Sequence, residues 1–162
     1  MSEAPRGDHD SRPGENQVGG PSQPAPDGDA YTWYQRGLEL LGRGSAAAAA
    51  QLLERAAEAE PGSRSVWEAL ARAQFDAGRY GQAAESFRRI VEASPSDDYA
   101  QFGLGLALAR DGNPAAAAEH LALAAAMRPD LAHYTDALRG VRATLRARAE
   151  PSGPPPDAPP EP

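Results

Sequence analysis

The stretch from Trp67 to Pro95 reads WEALARAQFDAGRYGQAAESFRRIVEASP, and its landmarks recur at a step of 34 positions. Pro95 stands midway between Pro61 and Pro129, Trp67 follows Trp33, and Gly78 lies between Gly44 and Gly112. Small residues keep the interval at Gly37, Ala71 and Gly105 and at Ala49, Ala83 and Ala117; large apolar ones keep it at Leu53, Phe87 and Leu121. Self-similarity at such a period marks an array whose units cannot bury their apolar faces alone and must stack.

Within one unit the signals spell helix, tight turn, helix and stop. Gly42, Gly44, Gly78 and Gly112 offer the left-handed backbone that a helix end needs. Ser45 and Asn113 are placed to cap the second helix of a pair, and Pro114 follows at a first helical position, where its missing N–H costs nothing. Alanine runs at 46–50 and 115–118 propagate that helix. Pro61, Pro95 and Pro129 disfavour helix at the preceding residue, and Ser63, Ser96 and Asp130 are candidate caps for the next helix in each case. The pattern predicts seven helices, three pairs and a last one at about 131–148, with the first from about Tyr31 to Arg43. Paired helices should approach most closely at the small residues, while Trp33 and Trp67 fill the space between helices.

Outward from the repeats the composition changes. Of 16 prolines and 16 glycines, most lie in residues 1–29 and 150–162, which also carry the acidity behind the net charge of −7. Those two segments are predicted to be disordered, since they lack apolar surface to offset the entropy of ordering. The expected organisation is a tail at 1–29, repeats at 30–63, 64–97 and 98–131, a capping helix at 132–149 and a Pro-rich tail at 150–162. With no lysine and a charge-balanced middle, the chain is not built to bind nucleic acid. The absence of cysteine excludes a disulfide framework and a thiol nucleophile. No apolar run is long enough for a signal peptide or a membrane span, so a cytoplasmic protein that does not engage a membrane is expected. Arginine as the sole strong base beside abundant Ala, Gly and Pro resembles the coding of a high-GC bacterial genome.

The residues resemble the tetratricopeptide repeat, TPR, whose pattern is met at Trp33, Gly37, Ala49, Leu53, Ala56 and Pro61. The next unit matches at Trp67, Leu70, Ala71, Ala83, Phe87 and Pro95, and the third at Leu104, Gly105, Ala117, Leu121, Ala124 and Pro129. Arg36 departs from the pattern's leucine, Gln101 from its tryptophan, and Leu40, Gln74 and Leu108 from its tyrosine. The resemblance implies an all-α fold, an α-α superhelix of three helix-turn-helix repeats closed by a C-terminal helix, with a concave groove that binds peptide segments.

Chemistry-bearing residues are sparse. His9 lies in the tail, His120 falls at a position usually exposed in such arrays, and His133 stands one turn from Asp136, suited to a weak pair. No phosphate loop, nucleophile elbow or metal motif is present, so no enzymatic activity, metal or cofactor is expected. Arg139, Arg142 and Arg146 form a basic stripe that reads as a solvated end face or a dock for an acidic segment.

A second apolar stripe on the first helices carries the functional expectation. It runs through Tyr31, Tyr34, Leu38 and Leu41 in the first unit and Tyr99, Phe102, Leu106 and Ala109 in the third. The middle unit supplies Ser65, Glu68, Arg72 and Phe75, with Glu68 and Arg72 as a polar centre. The family resemblance places these positions on the concave face. A helix apolar on two faces either packs one of them against its neighbour or presents it to a partner. The candidate groove is Tyr31, Tyr34, Leu38, Glu68, Arg72, Phe75, Tyr99, Phe102, Leu106 and His133. The expected role is an adaptor that binds an apolar or aromatic segment of another protein, as a monomer or weak homodimer. The alternative is a structural protein that self-associates through the same face.

Overall fold

The computed structural model describes residues 29–150 and Gly153. The disorder expected of the two tails falls on residues outside that range, with two boundary corrections. Asp29 belongs to the fold as the N-cap of the first helix, its carboxylate accepting from the Thr32 amide at 2.9 Å. Glu150 closes the last helix as its C-cap.

Among the described residues the chain is seven helices without a strand. They are α1 (Ala30–Gly42), α2 (Ala46–Ala59), α3 (Arg64–Asp76), α4 (Tyr80–Ala93), α5 (Asp98–Arg110), α6 (Pro114–Met127) and α7 (Ala132–Ala149). Each pair turns in the same way. Gly44, Gly78 and Gly112 take φ of 79°, 76° and 90°, which a side chain would resist. The residue after each glycine donates its amide back into the preceding helix, Ser45 to Leu40, Arg79 to Gln74 and Asn113 to Leu108, at 2.8–2.9 Å. Gly42 is simply the last residue of α1 and adopts no left-handed backbone.

Capping agrees with the sequence at Ser63, which accepts from Val66 at 3.4 Å, and at Asn113, which accepts from Ala116 at 3.2 Å ahead of Pro114. Elsewhere the expectation is corrected. Ser45 occupies the N-cap of α2 but makes no side-chain bond. Asp97, rather than Ser96, caps α5, because its carboxylate reaches both the Ala100 amide at 3.0 Å and the Arg64 guanidinium at 2.6 Å. Asp130 turns away to Arg128 in a two-point bond at 3.0 and 2.8 Å, leaving Leu131 at the start of α7.

Packing explains the small residues. A Cβ added at Gly37 would stand 2.6 Å from Leu53, and one at Gly105 equally close to Leu121. Ala49, Ala71, Ala83 and Ala117 are fully enclosed. Close approach at these points lets the leucine of one helix fill the notch in its partner. The buried side chains form two clusters, one under α1 to α3 and one running on to α7, and Trp67 packs against both. Its indole N–H donates to the Pro61 carbonyl at 2.8 Å.

Consecutive helices pack together, and α1 also touches α3, α3 touches α5, and α5 touches α7. Helices α2, α4 and α6 do not touch one another. A stack joined along one edge and splayed along the other must curve, with α1, α3, α5 and α7 on the inside. This superhelix carries the second apolar stripe on its inner surface.

Candidate functional site

Two adjoining clefts open on that inner surface and share Arg72. The first, about 290 Å³, lies between α1 and α3 and is lined by Tyr34, Leu38, Arg64, Ser65, Glu68, Ala69 and Arg72. The second, about 220 Å³, lies between α3 and α5 and is lined by Arg72, Phe75, Asp76, Phe87, Tyr99, Phe102, Gly103 and Leu106. Most of the residues singled out by the stripe are thus brought together. Tyr31 and His133 line neither cleft. Tyr31 is 70% exposed at the outer end of α1. His133, exposed on α7, sets its ring edge-on against Phe102 at 5.3 Å, so it borders the far end.

The aromatic groups are half-buried, which joins the two readings of the stripe. Tyr34 and Leu38 pack on the first core cluster, and Phe75, Tyr99, Phe102 and Leu106 pack on the second, each keeping part of its surface open. Phe102 stacks at 4.4 Å on Tyr134 of α7. Tyr134 is itself only 2% exposed, and its hydroxyl donates to Asp98 at 2.8 Å. Burial, reinforced by that carboxylate, pushes the Tyr134 hydroxyl far up from its ordinary pKa. Burial likewise raises Tyr99. Both phenols stay neutral through the physiological range.

The sequence pattern does not reveal how the second cleft obtains its floor. Phe87 comes from α4, behind the inner layer, and passes beneath α5 because residue 103 is glycine: a Cβ there would lie 2.4 Å from the ring. The ring meets Tyr99 edge-on at 6.3 Å. Gly103 has Ala69 as its counterpart one repeat earlier, and that break in register was the signal available.

The polar centre is also rearranged. Glu68 pairs with Arg64 one turn earlier on α3, not with Arg72. Arg64 bridges onward to Asp97. Burial alone would raise the Asp97 carboxyl, but the Arg64 guanidinium and the Ala100 amide bring it below the usual carboxylate value. With Glu68 so engaged, Arg72 has no ion-pair partner among the described residues and stands at the junction of the clefts. The histidine expectations change too. Asp136 pairs with Arg139 at 2.7 Å rather than with His133. His120, expected at the surface, is half-buried with Nδ1 2.8 Å from the Gln101 side-chain oxygen.

A larger cleft of about 660 Å³ lies at one end of the helices, between Trp67, Arg89 and the loops at Pro61 and Ser94. Its aromatic surface is already taken, since the Arg89 guanidinium lies 4.5 Å over the Trp67 ring. The inner clefts retain open aromatic surface and, among the described residues, a cation without an ion-pair partner. Among the described residues no group of three His, Asp or Glu stands where it could hold a metal ion, and no helix is long and apolar enough to cross a membrane.

Comparison with known proteins agrees with this fold. A family profile described as tetratricopeptide repeat matches residues 34–98 and 69–132. The TPR domain of Sgt2 from Aspergillus fumigatus superposes with a TM-score of 0.70 at 20% identity, covering 86% of this chain and 93% of that one. The first TPR of Spaghetti (RPAP3), bound to the HSP90 peptide SRMEEVD, gives 0.67 at 18% identity over 72% and 93% of the two chains. MamA (MSR-1) gives 0.69 at 22% over 77% and 72%. No curated protein matches the chain in sequence.

Proposed function

The chain belongs to the tetratricopeptide-repeat family, and from that premise we propose that it is a non-catalytic adaptor holding an extended apolar or aromatic segment of a partner protein along the inner faces of α1, α3 and α5. One observation carries the reading. The cleft of Tyr34 and Leu38 and the cleft of Phe75, Tyr99 and Phe102 share Arg72, so half-buried rings from α1, α3 and α5 line adjoining clefts across three repeats, with charged groups between them. Half-buried rings held by packing offer contact area at small entropic cost, and such anchors carry much of a binding free energy. Arg72 would take a carbonyl or one acidic side chain of the segment. That a structural neighbour's TPR domain is bound to a peptide supports the general mode.

The test is a two-site variant measured against a partner isolated on the full chain. Tyr34→Ala with Arg72→Ala should weaken binding at least tenfold, about 1.4 kcal/mol, with the helical signal retained. Undiminished binding places the partner elsewhere, the first alternative being Arg142 and Arg146 on α7. If no partner is retained and the chain is dimeric at tens of micromolar, the face serves self-association instead.

A further inference from the structure

We propose that the cleft between α3 and α5 is also a docking surface for this chain's own segment 151–162, which folds back along α7 to reach it. The cleft, at about 220 Å³, is smaller than the roughly 300–1,000 Å³ typical of small-molecule pockets. It has room for one or two side chains, and its walls are rings: Phe75, Phe87, Tyr99 and Phe102. Rings of this kind receive proline, because the flat pyrrolidine lies against them and a polyproline segment is already extended before it binds.

Segment 151–162 reads PSGPPPDAPPEP and carries Asp157 and Glu161 without a base. At the cleft, Arg72 has no carboxylate partner among the described residues; Arg110 does not line the cleft but lies over Phe75 at 6.0 Å and over Tyr80 at 5.9 Å, also without a carboxylate partner among the described residues. Asp76 supplies one opposing charge at the mouth. The amino-terminal segment is the poorer match, since it mixes Arg6 and Arg12 with its acids and joins the array at α1.

A path between the two is present on α7. The inner stripe of α5, Tyr99, Phe102, Leu106 and Ala109, continues at the repeat interval as His133, Asp136, Gly140 and Ala143. Gly140 sits in mid-helix, where glycine weakens the helix, yet nothing in the fold calls for it. Its backbone is ordinary helix, and an added Cβ would meet nothing within 4 Å. A second backbone crossing α7 at that point accounts for the missing side chain. The reach suffices: from Gly140 to the end of α7 is about 15 Å at 1.5 Å per residue, and the segment spans roughly 37 Å in polyproline II geometry. Where an adaptor's partner takes the same cleft, segment 151–162 competes with it.

The absence of cysteine gives a direct test on the full chain. A nitroxide attached at Ala158→Cys should remove most of the amide NMR intensity at Gly103, Leu106 and Gly140, with recovery on reduction of the label. The pair Asp157→Arg and Glu161→Arg should restore that intensity, and so should Arg72→Glu. Full intensity at Gly103 and Leu106 overturns the proposal, as does broadening confined to Arg142 and Arg146. Broadening that persists between a labelled chain and a separate isotope-bearing chain assigns the cleft to a second copy and equally overturns it. No partner protein enters the experiment, so its failure leaves the adaptor reading to be judged by its own test.

Discussion

The side-chain amide of Gln101 donates to the carbonyl of Pro95 at 3.0 Å, one repeat after the indole of Trp67 donates to Pro61 at 2.8 Å. The departure from tryptophan therefore keeps the bond that ties the start of a first helix to the proline turn before it. It also frees an oxygen that tryptophan lacks, and His120 of α6 meets it at 2.8 Å. Because the Gln101 nitrogen is committed to Pro95, the His120 Nδ1 carries the proton and donates.

Replacing Gln101 by Leu removes both bonds and leaves the Pro95 carbonyl and His120 without these partners in a region where Gln101 is 3% exposed. The expected cost is about 1–3 kcal/mol by denaturant unfolding. Ser96→Ala should be neutral, since Asp97 provides the cap. Equal effects of the two would contradict the bonding described.

Two glycines should respond in opposite directions to alanine. Gly103→Ala drives a methyl into the enclosed Phe87 ring and should cost about 1–3 kcal/mol, outweighing the gain in helix propensity. Gly140→Ala meets nothing within 4 Å among the described residues, and in a chain ended after Glu150, where no segment can cross α7, it should stabilise by about 0.5–1 kcal/mol. Thermal unfolding of both variants decides the matter, and two shifts of the same sign would be inconsistent with it.

Ala83 has no exposed surface at the contact of α3 and α4, whereas Ala48 is exposed on α2. Ala83→Leu should overpack that contact at about 1–3 kcal/mol, with Ala48→Leu as the silent control. Because stacked repeats support one another, the loss should broaden or lower the whole transition rather than one step of it. An unchanged melting temperature for Ala83→Leu would refute the packing.

Burial, and then the neighbouring Arg88, lower the His120 pKa below its ordinary 6.5. As the pH falls through about 6.5, the unfolded chain takes up this proton before the folded one does. Stability should therefore decline as the pH falls through about 6.5, and the loss becomes complete below the lower folded-state value. His120→Gln should flatten that part of the profile. Titration of the His120 ring by NMR gives the same answer independently, and a midpoint above 6.5 would reverse the sign.

The repeat interval alone determined the all-α class, the helix count and the pairing. Glycine at a left-handed turn, proline after a helix and small residues at a close contact are local requirements, and each leaves its mark at a fixed position. The inner stripe was legible for the same reason, since periodicity states which residues share a face. Choices made between elements left no such mark. Whether Ser96 or Asp97 caps α5 depends on Arg64, which the fold brings to Asp97 from the preceding repeat. Whether Glu68 meets Arg72 or Arg64 depends on two rotamers of similar reach along one helix, and here Arg64 takes it while also binding Asp97. The floor of the second cleft needed Phe87 to pass under Gly103, and the firmness of Phe102 needed Tyr134 behind it. A sequence records what each residue requires of its own backbone; which of several competent partners it takes is settled only when packing fixes their separation.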